Sequence, residues 1–233
     1  MKNIIFLLIP FILYAQSYMA KIEPYEEFTI YSQTSGQIIK LNKDEETKVV
    51  TGILVKLDDS LEQKHLALYK MQLKLYNEKL KILEENYKNF LGIRGKSKTE
   101  KDEKYYDVID LKITINNLKI TIEELQDTIV KKTISVENLY IKNFMVENND
   151  YVNTGAQLAT AYDISSSKIV VYLSSEDYKD LKDKKVLINA KEGIATIDKI
   201  DITLDSTFVS AHKVVLKLDD KEFGKVVKVE FVK

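Results

Sequence analysis

The sequence predicts an α+β fold in which a β-type unit is used twice, interrupted by a long helical hairpin and followed by a β-rich segment. Three observations predict it. Residues 38–55 (IIKLNKDEETKVVTGILV) and 141–158 (IKNFMVENNDYVNTGAQL) repeat each other 103 residues apart. Between them, apolar residues recur in steps of three and four, the spacing of a helix face. Beyond them lie short runs rich in Val and Ile, bounded by polar turns.

In chain order, the first element is a targeting segment. Lys2 precedes an apolar run over residues 4–14, and Ala15-Gln16-Ser17 supplies small residues at the −3 and −1 positions of a cleavage site. The run is too short to span a bilayer, which takes about 20 residues. Residues 1–17 are therefore expected to be a cleaved signal peptide, leaving a soluble, exported product.

The repeat comes next. It matches Ile38 with Ile141, Val49 with Val152, Thr51 with Thr154 and Gly52 with Gly155. Val49 and Val152 are thus expected to be equivalent buried positions. Gly36 and Asn148-Asn149-Asp150 read as turn signals, and Gly52 and Gly155 end V-x-T-G corners where a positive φ or a close backbone approach favours glycine. These glycines are given structural roles and no chemistry.

The helical region begins near Asp58. Leu66, Tyr69, Leu73, Tyr76, Leu80, Leu83, Tyr87 and Phe90 form a heptad seam. A second row, Leu61, Leu68, Leu75 and Ile82, widens the apolar face beyond what one partner helix covers. Leu91, Gly92 and Gly95 suit a helix end and turn, and the seam resumes at Val108, Leu111, Ile115, Leu118, Ile122, Leu125 and Ile129. Thr99 with Asp102 reads as a capping box for the second helix, with Glu100 and Glu103 near its positive end. The short connection favours an antiparallel hairpin reaching about 46 Å at 1.5 Å per residue.

After the second copy, strands are expected over residues 168–173, 185–189, 194–200, 212–218 and 225–232, with Ser174 and Asp177 capping a short helix that runs through Leu181. Short strands with one helix fit a small barrel.

Composition narrows the function. A net charge of −1 gives no pull toward nucleic acid or an anionic membrane, and 45% apolar residues allow a substantial core. With no Cys, disulfides, thiolate metal sites, a cysteine nucleophile and lipidation of an N-terminal cysteine are excluded. His65 and His212 have no partner by spacing and are assigned to surface or packing roles. The acidic run at residues 44–46 has no matching ligand set, and Met19, Met71 and Met145 are too scattered for a soft-metal site. No phosphate-cradling loop or nucleophile motif is present, so the sequence predicts no catalytic residue, metal or cofactor, and no enzyme.

Residues 35–59 (SGQIIKLNKDEETKVVTGILVKLDD) and 140–165 (YIKNFMVENNDYVNTGAQLATAYDIS), with a helical hairpin between them, resemble the periplasmic adaptors, or membrane-fusion proteins, of the HlyD-like superfamily. The resemblance implies a split lipoyl-like β domain over residues 18–57 and 131–163, a long coiled-coil α-helical hairpin over 58–130, and a small β-barrel domain over 164–233. It also implies a homo-oligomeric periplasmic adaptor that joins an inner-membrane transporter to an outer-membrane channel for efflux or secretion.

That family's hairpin tip often carries Arg, then Leu three residues on, then Ser four further. Here Arg94 is followed by Ser97 with no Leu between. The tip residues expected to meet a partner are Arg94, Lys96, Ser97 and Lys98, Arg94 being the only arginine in a chain that otherwise uses lysine. Two other classes stay open. A lipoyl or biotinyl carrier would need its modified lysine where the helices are inserted. The other is an exported coiled-coil scaffold unrelated to transport.

Overall fold

In a computed structural model of the protein, the described residues are 17–179, 181–219 and 221–232. Apart from Ser17, the expected signal peptide lies outside them. The chain opens with β1 (Ser17–Tyr31), β2 (Gly36–Leu41) and β3 (Val49–Leu57), followed by two long helices, α1 (Ser60–Leu91) and α2 (Lys98–Lys131). Strands β4 (Thr133–Phe144), β5 (Tyr151–Val152) and β6 (Gln157–Ser174) lead to the one-turn α3 (Ser175–Tyr178). Strands β7 (Lys185–Ile188), β8 (Lys191–Glu192), β9 (Ala195–Leu204), β10 (Ala211–Leu218) and β11 (Val226–Val232) complete it. The architecture is mixed α/β, mostly strands. It divides into two units, one of Thr29–Glu137 with Ile141–Thr160, the other of residues 17–28, 138–140 and 161–232.

The first unit holds the repeat and both helices. Strand β2 pairs antiparallel with β3, Ile38 opposite Leu57, and with β5, Gly36 opposite Val152. The two copies clasp each other through matching backbone hydrogen bonds. The Ile38 N–H donates to the Asp150 carbonyl and the Asn149 N–H to the Ile38 carbonyl, at 2.8 and 3.0 Å. Likewise the Ile141 N–H donates to the Lys48 carbonyl and the Thr47 N–H to the Ile141 carbonyl, at 2.9 and 2.8 Å. Thr47 and Asn149 both have positive φ, 63° and 72°. Ile38 and Ile141 are fully buried, as are Val55 and Leu158.

The middle of the repeat departs from the sequence alignment. Val49 is 51% exposed, whereas Val50 is 5% and Val152 4% exposed. Val50, not Val49, is the counterpart of Val152. The first copy carries one more residue between its Ile and its buried Val, taken up around a 3-10 turn at Lys43–Glu45. The second copy carries one more between that Val and its Gly, so the two differences cancel and V-x-T-G aligns out of register. Because side chains alternate along a strand, one residue of slip moves Val49 to solvent.

Gly36 is likewise not in a turn. It opens β2, and an added Cβ would lie 3.3 Å from the Leu57 Cβ, so its role is close approach. Gly52 and Gly155 do have positive φ, 127° and 83°.

Helices α1 and α2 pack against each other antiparallel: Lys112 pairs with Glu84 at 2.7 Å, and Tyr87 meets Tyr105 with ring centroids 5.5 Å apart. The seam predicted from heptad spacing faces inward. Leu66, Val108, Leu111, Ile115 and Ile122 are buried, and the rest of the seam is half-buried. Each fully covered aliphatic side chain stabilises by about 1.5–3 kcal/mol, which offsets the cost of ordering two long helices. Leu61, Leu68, Leu75 and Ile82 remain 56–60% exposed.

At the base of the pair, the buried Lys132 ammonium donates to the Asp58 carbonyl at 2.7 Å and pairs with Glu62, while its own carbonyl accepts from the Leu57 N–H. The Asp58 carboxylate accepts the Ser60 N–H at 3.0 Å, which holds it below its ordinary range. Among the described residues no helix is long and apolar enough to cross a membrane.

The second unit is β-rich. Strand β10 pairs antiparallel with β6 along Ala211–Leu218 and with β9 on its other edge. Strand β11 lies between β1 and β7, Val229 opposite Tyr18 on one side and Ile188 on the other. The two-residue alternation in β11 is realised: Val227, Val229 and Phe231 join Ile169, Val171, Leu173, Val214, Leu216 and Leu218 in one core. The short helix ends at Tyr178, not at Leu181, because Lys179 turns to an extended ψ of 138°. Ser174 caps it as expected, accepting the Asp177 N–H at 3.2 Å. His212 packs in the interior, stacked on Tyr178 at 3.9 Å.

Candidate functional site at the far end of the helix pair

Six residues, Gly92 to Ser97, connect α1 to α2, and their local chemistry fixes the connection. Gly92 caps α1 with its N–H on the Asn89 carbonyl, and Gly95 makes the reversal at φ +88°. Helix α2 starts from Ser97 rather than Thr99. The Ser97 Oγ accepts the Glu100 N–H at 3.2 Å, and the Glu100 carboxylate accepts the Ser97 N–H at 2.8 Å. This reciprocal capping box needs a side chain long enough to reach back across a turn. Glu100 has that reach from the third helical position; Asp102, paired in the sequence reading with Thr99, is one methylene shorter.

The four residues expected to meet a partner sit together here but do different things. Lys96 bonds Glu100 at 2.7 Å and lies 5.4 Å from the centroid of the Phe90 ring. With the Ser97 N–H and hydroxyl, it pulls the Glu100 carboxyl down to about 2. Ser97 is thereby committed to the cap. Lys98 is the first helical residue and exposed. Arg94 is exposed on the loop, its fork of five N–H donors suited to a carboxylate or to carbonyls at a helix end.

The same end also carries Leu91, Ile93, Tyr105 and Tyr106, all exposed. The sequence reading took Leu91 as a helix end and did not assign Tyr105 or Tyr106 to the tip; Tyr105, three residues before Val108, continues the seam and meets Tyr87. Of the structural glycines, Gly36 and Gly52 lie in β2 and β3 and Gly155 in the turn between β5 and β6, separate from this loop. Among the described residues, no group of three or more His, Asp or Glu is placed to hold a metal ion.

No protein-family model matches the sequence, and no curated protein matches it at sequence level. Solved structures do. Spr0693, a membrane fusion protein from Streptococcus pneumoniae R6, superposes with a TM-score of 0.72 at 11% identity, over 94% of this chain and 100% of that one. A MacA-MexA chimeric protein containing the Pseudomonas aeruginosa MexA α-hairpin domain gives 0.66 at 17%, over 93% and 81%. ZneB from Cupriavidus metallidurans gives 0.54 at 14%, over 93% and 97%. The chain therefore has the membrane fusion protein fold, as its resemblance to the HlyD-like superfamily implied.

Proposed function

We propose that this protein is the periplasmic adaptor subunit of a tripartite efflux or secretion system, joining an inner-membrane transporter to an outer-membrane channel. The observation that carries the reading is the similarity to a membrane fusion protein over 94% of the chain, with a paired-helix insertion between two clasped copies of a β unit. In this reading Thr133–Phe144, β5 and the first residues of β6 join β2 and β3 as a split lipoyl-like domain, α1 and α2 are its coiled-coil hairpin, and the C-terminal strands form the barrel. Its work is binding and packing rather than catalysis.

The hairpin tip is the duct-facing contact, made by Arg94 with Lys98 and the exposed Leu91 and Ile93. Ser97 and Lys96 hold the loop in shape through Glu100. The outer row of α1, Leu61, Leu68, Leu75 and Ile82, supplies apolar surface for neighbouring copies in a homo-oligomer, since an exposed stripe of this length needs cover. A cleaved signal peptide delivers the protein to the periplasm. An exported scaffold unrelated to transport is disfavoured because it gives no reason for this whole-chain similarity.

The test is mild crosslinking in the native envelope followed by purification. Recovery of a transporter and a duct with the protein is expected. Recovery of self-complexes alone would reject the adaptor reading.

A further inference from the structure

Two rows of apolar side chains stay uncovered when the helices pair. On α1 the row is Leu61, Leu68, Leu75 and Ile82, 56–60% exposed; on α2 it is Tyr106, Ile113 and Ile120, 52–59% exposed. Both repeat every seven residues, as the inner seam does, so each keeps a constant angle to the seam along the pair. At about 100° per residue, the α1 row stands about 130° from its own seam and the α2 row about 170° from its own. The rows therefore leave the pair by opposite edges, and one neighbour covers only one of them.

The rows also stand level. Glu84 meets Lys112 and Tyr87 meets Tyr105 across the antiparallel pair, which sets Leu75 at the height of Ile120 and Ile82 at the height of Ile113. Their charges are opposite in sign. Helix α1 carries six Lys and four Glu, a net +2, and its flank beside the row exposes Lys64, Lys74, Lys81 and Lys88 against Glu78 and Glu85. Helix α2 carries six Lys and eight carboxylates, a net −2, and three and four residues from its row stand the exposed Glu103, Asp110, Glu123 and Glu124, with no lysine. Setting α1 against α1 would bring like charges together, whereas α1 against α2 brings opposite ones.

We propose that α1 of one copy packs along α2 of the next, tips pointing the same way and at one height, with Leu75 beside Ile120 and Ile82 beside Ile113. The contact joins unlike faces, so it repeats from copy to copy and closes as a ring rather than stopping at a dimer. The inference rests on the homo-oligomer part of the adaptor reading and names the face that completes it.

The chain has no cysteine, so introduced thiols report alone. Leu75→Cys and Ile120→Cys are purified separately as the full chain, oxidised alone and as an equal mixture, and run without reductant. The mixture is expected to give a disulfide dimer about tenfold or more above either variant alone, and the double variant a ladder of higher species. Adding Lys74→Glu and Lys81→Glu to the Leu75→Cys partner should cut the mixed dimer about threefold or more, because like charges then meet. Disulfide dimers of Leu75→Cys alone, at the level of the mixture, overturn the proposal by placing α1 against α1. So does a mixture that stays uncrosslinked. If the unmodified chain is then oligomeric by sedimentation, the copies meet elsewhere and this proposal falls by itself; if it is monomeric, the homo-oligomer reading falls with it.

Discussion

Removing the Lys132 ammonium should loosen the helix pair where it joins the strands. The Lys132 side chain is 7% exposed and its partner Glu62 23%; the ammonium also satisfies the Asp58 carbonyl at 2.7 Å. Lys132→Met keeps most of the aliphatic stem but leaves Glu62 unpaired and a carbonyl without its donor. Breaking a fully buried pair costs about 3–5 kcal/mol. Because Glu62 retains some contact with water, about 2–3 kcal/mol is expected here. Urea unfolding followed by helix ellipticity reads the loss, and adding Glu62→Gln should recover roughly half by removing the stranded charge. A loss under about 0.5 kcal/mol, the range of ordinary surface changes, would refute the buried-clasp reasoning.

The register of the repeat gives a paired test: Val50→Ala should cost about 2 kcal/mol by removing buried methyls and leaving a cavity, while Val49→Ala should stay within about 0.5 kcal/mol. Equal losses in thermal melts would contradict the one-residue slip. The capping box gives a pH test. Glu100 titrates at about 2, below its ordinary 4.5, so its contribution to the first turn of α2 is complete above 4.5 and lost as pH falls through about 2. An NMR titration should place its midpoint near 2, and Ser97→Ala should raise it; a midpoint near 4.5 in the wild type would show that the box does not form in solution.

What the sequence made legible was whatever repeats with a single period. The seam from Leu66 to Phe90 was visible because steps of three and four admit no other regular structure, and Val227, Val229 and Phe231 declared a strand by strict alternation. Local competitions were harder. Ser97-x-x-Glu100 and Thr99-x-x-Asp102 look alike as patterns, and only side-chain reach separates them. The slip at Val49 was hidden because the extra residue around Lys43–Glu45 is offset by one between Val152 and Gly155, which restores the motif match.

Pairings distant in sequence left no trace at all. Nothing in Ser17–Lys21 announces an antiparallel partner at Val226–Glu230, since backbone hydrogen bonds carry no residue code. At the helix connection the sequence located the loop and its lone arginine. It did not reveal that Lys96 and Ser97 are occupied by Glu100, which leaves Arg94 and Lys98 as the predicted residues whose chemistry is available to a partner.

Arg94 is therefore where the adaptor account is most exposed to test, by crosslinking to the outer-membrane duct and transport in cells carrying Arg94→Ala or Arg94→Lys. The account predicts that Arg94→Ala leaves the thermal melt unchanged while duct crosslinking and transport fall about tenfold or more, and that Arg94→Lys recovers part of the loss, because an ammonium keeps the charge but not the planar fork. Wild-type crosslinking and transport in Arg94→Ala would contradict it.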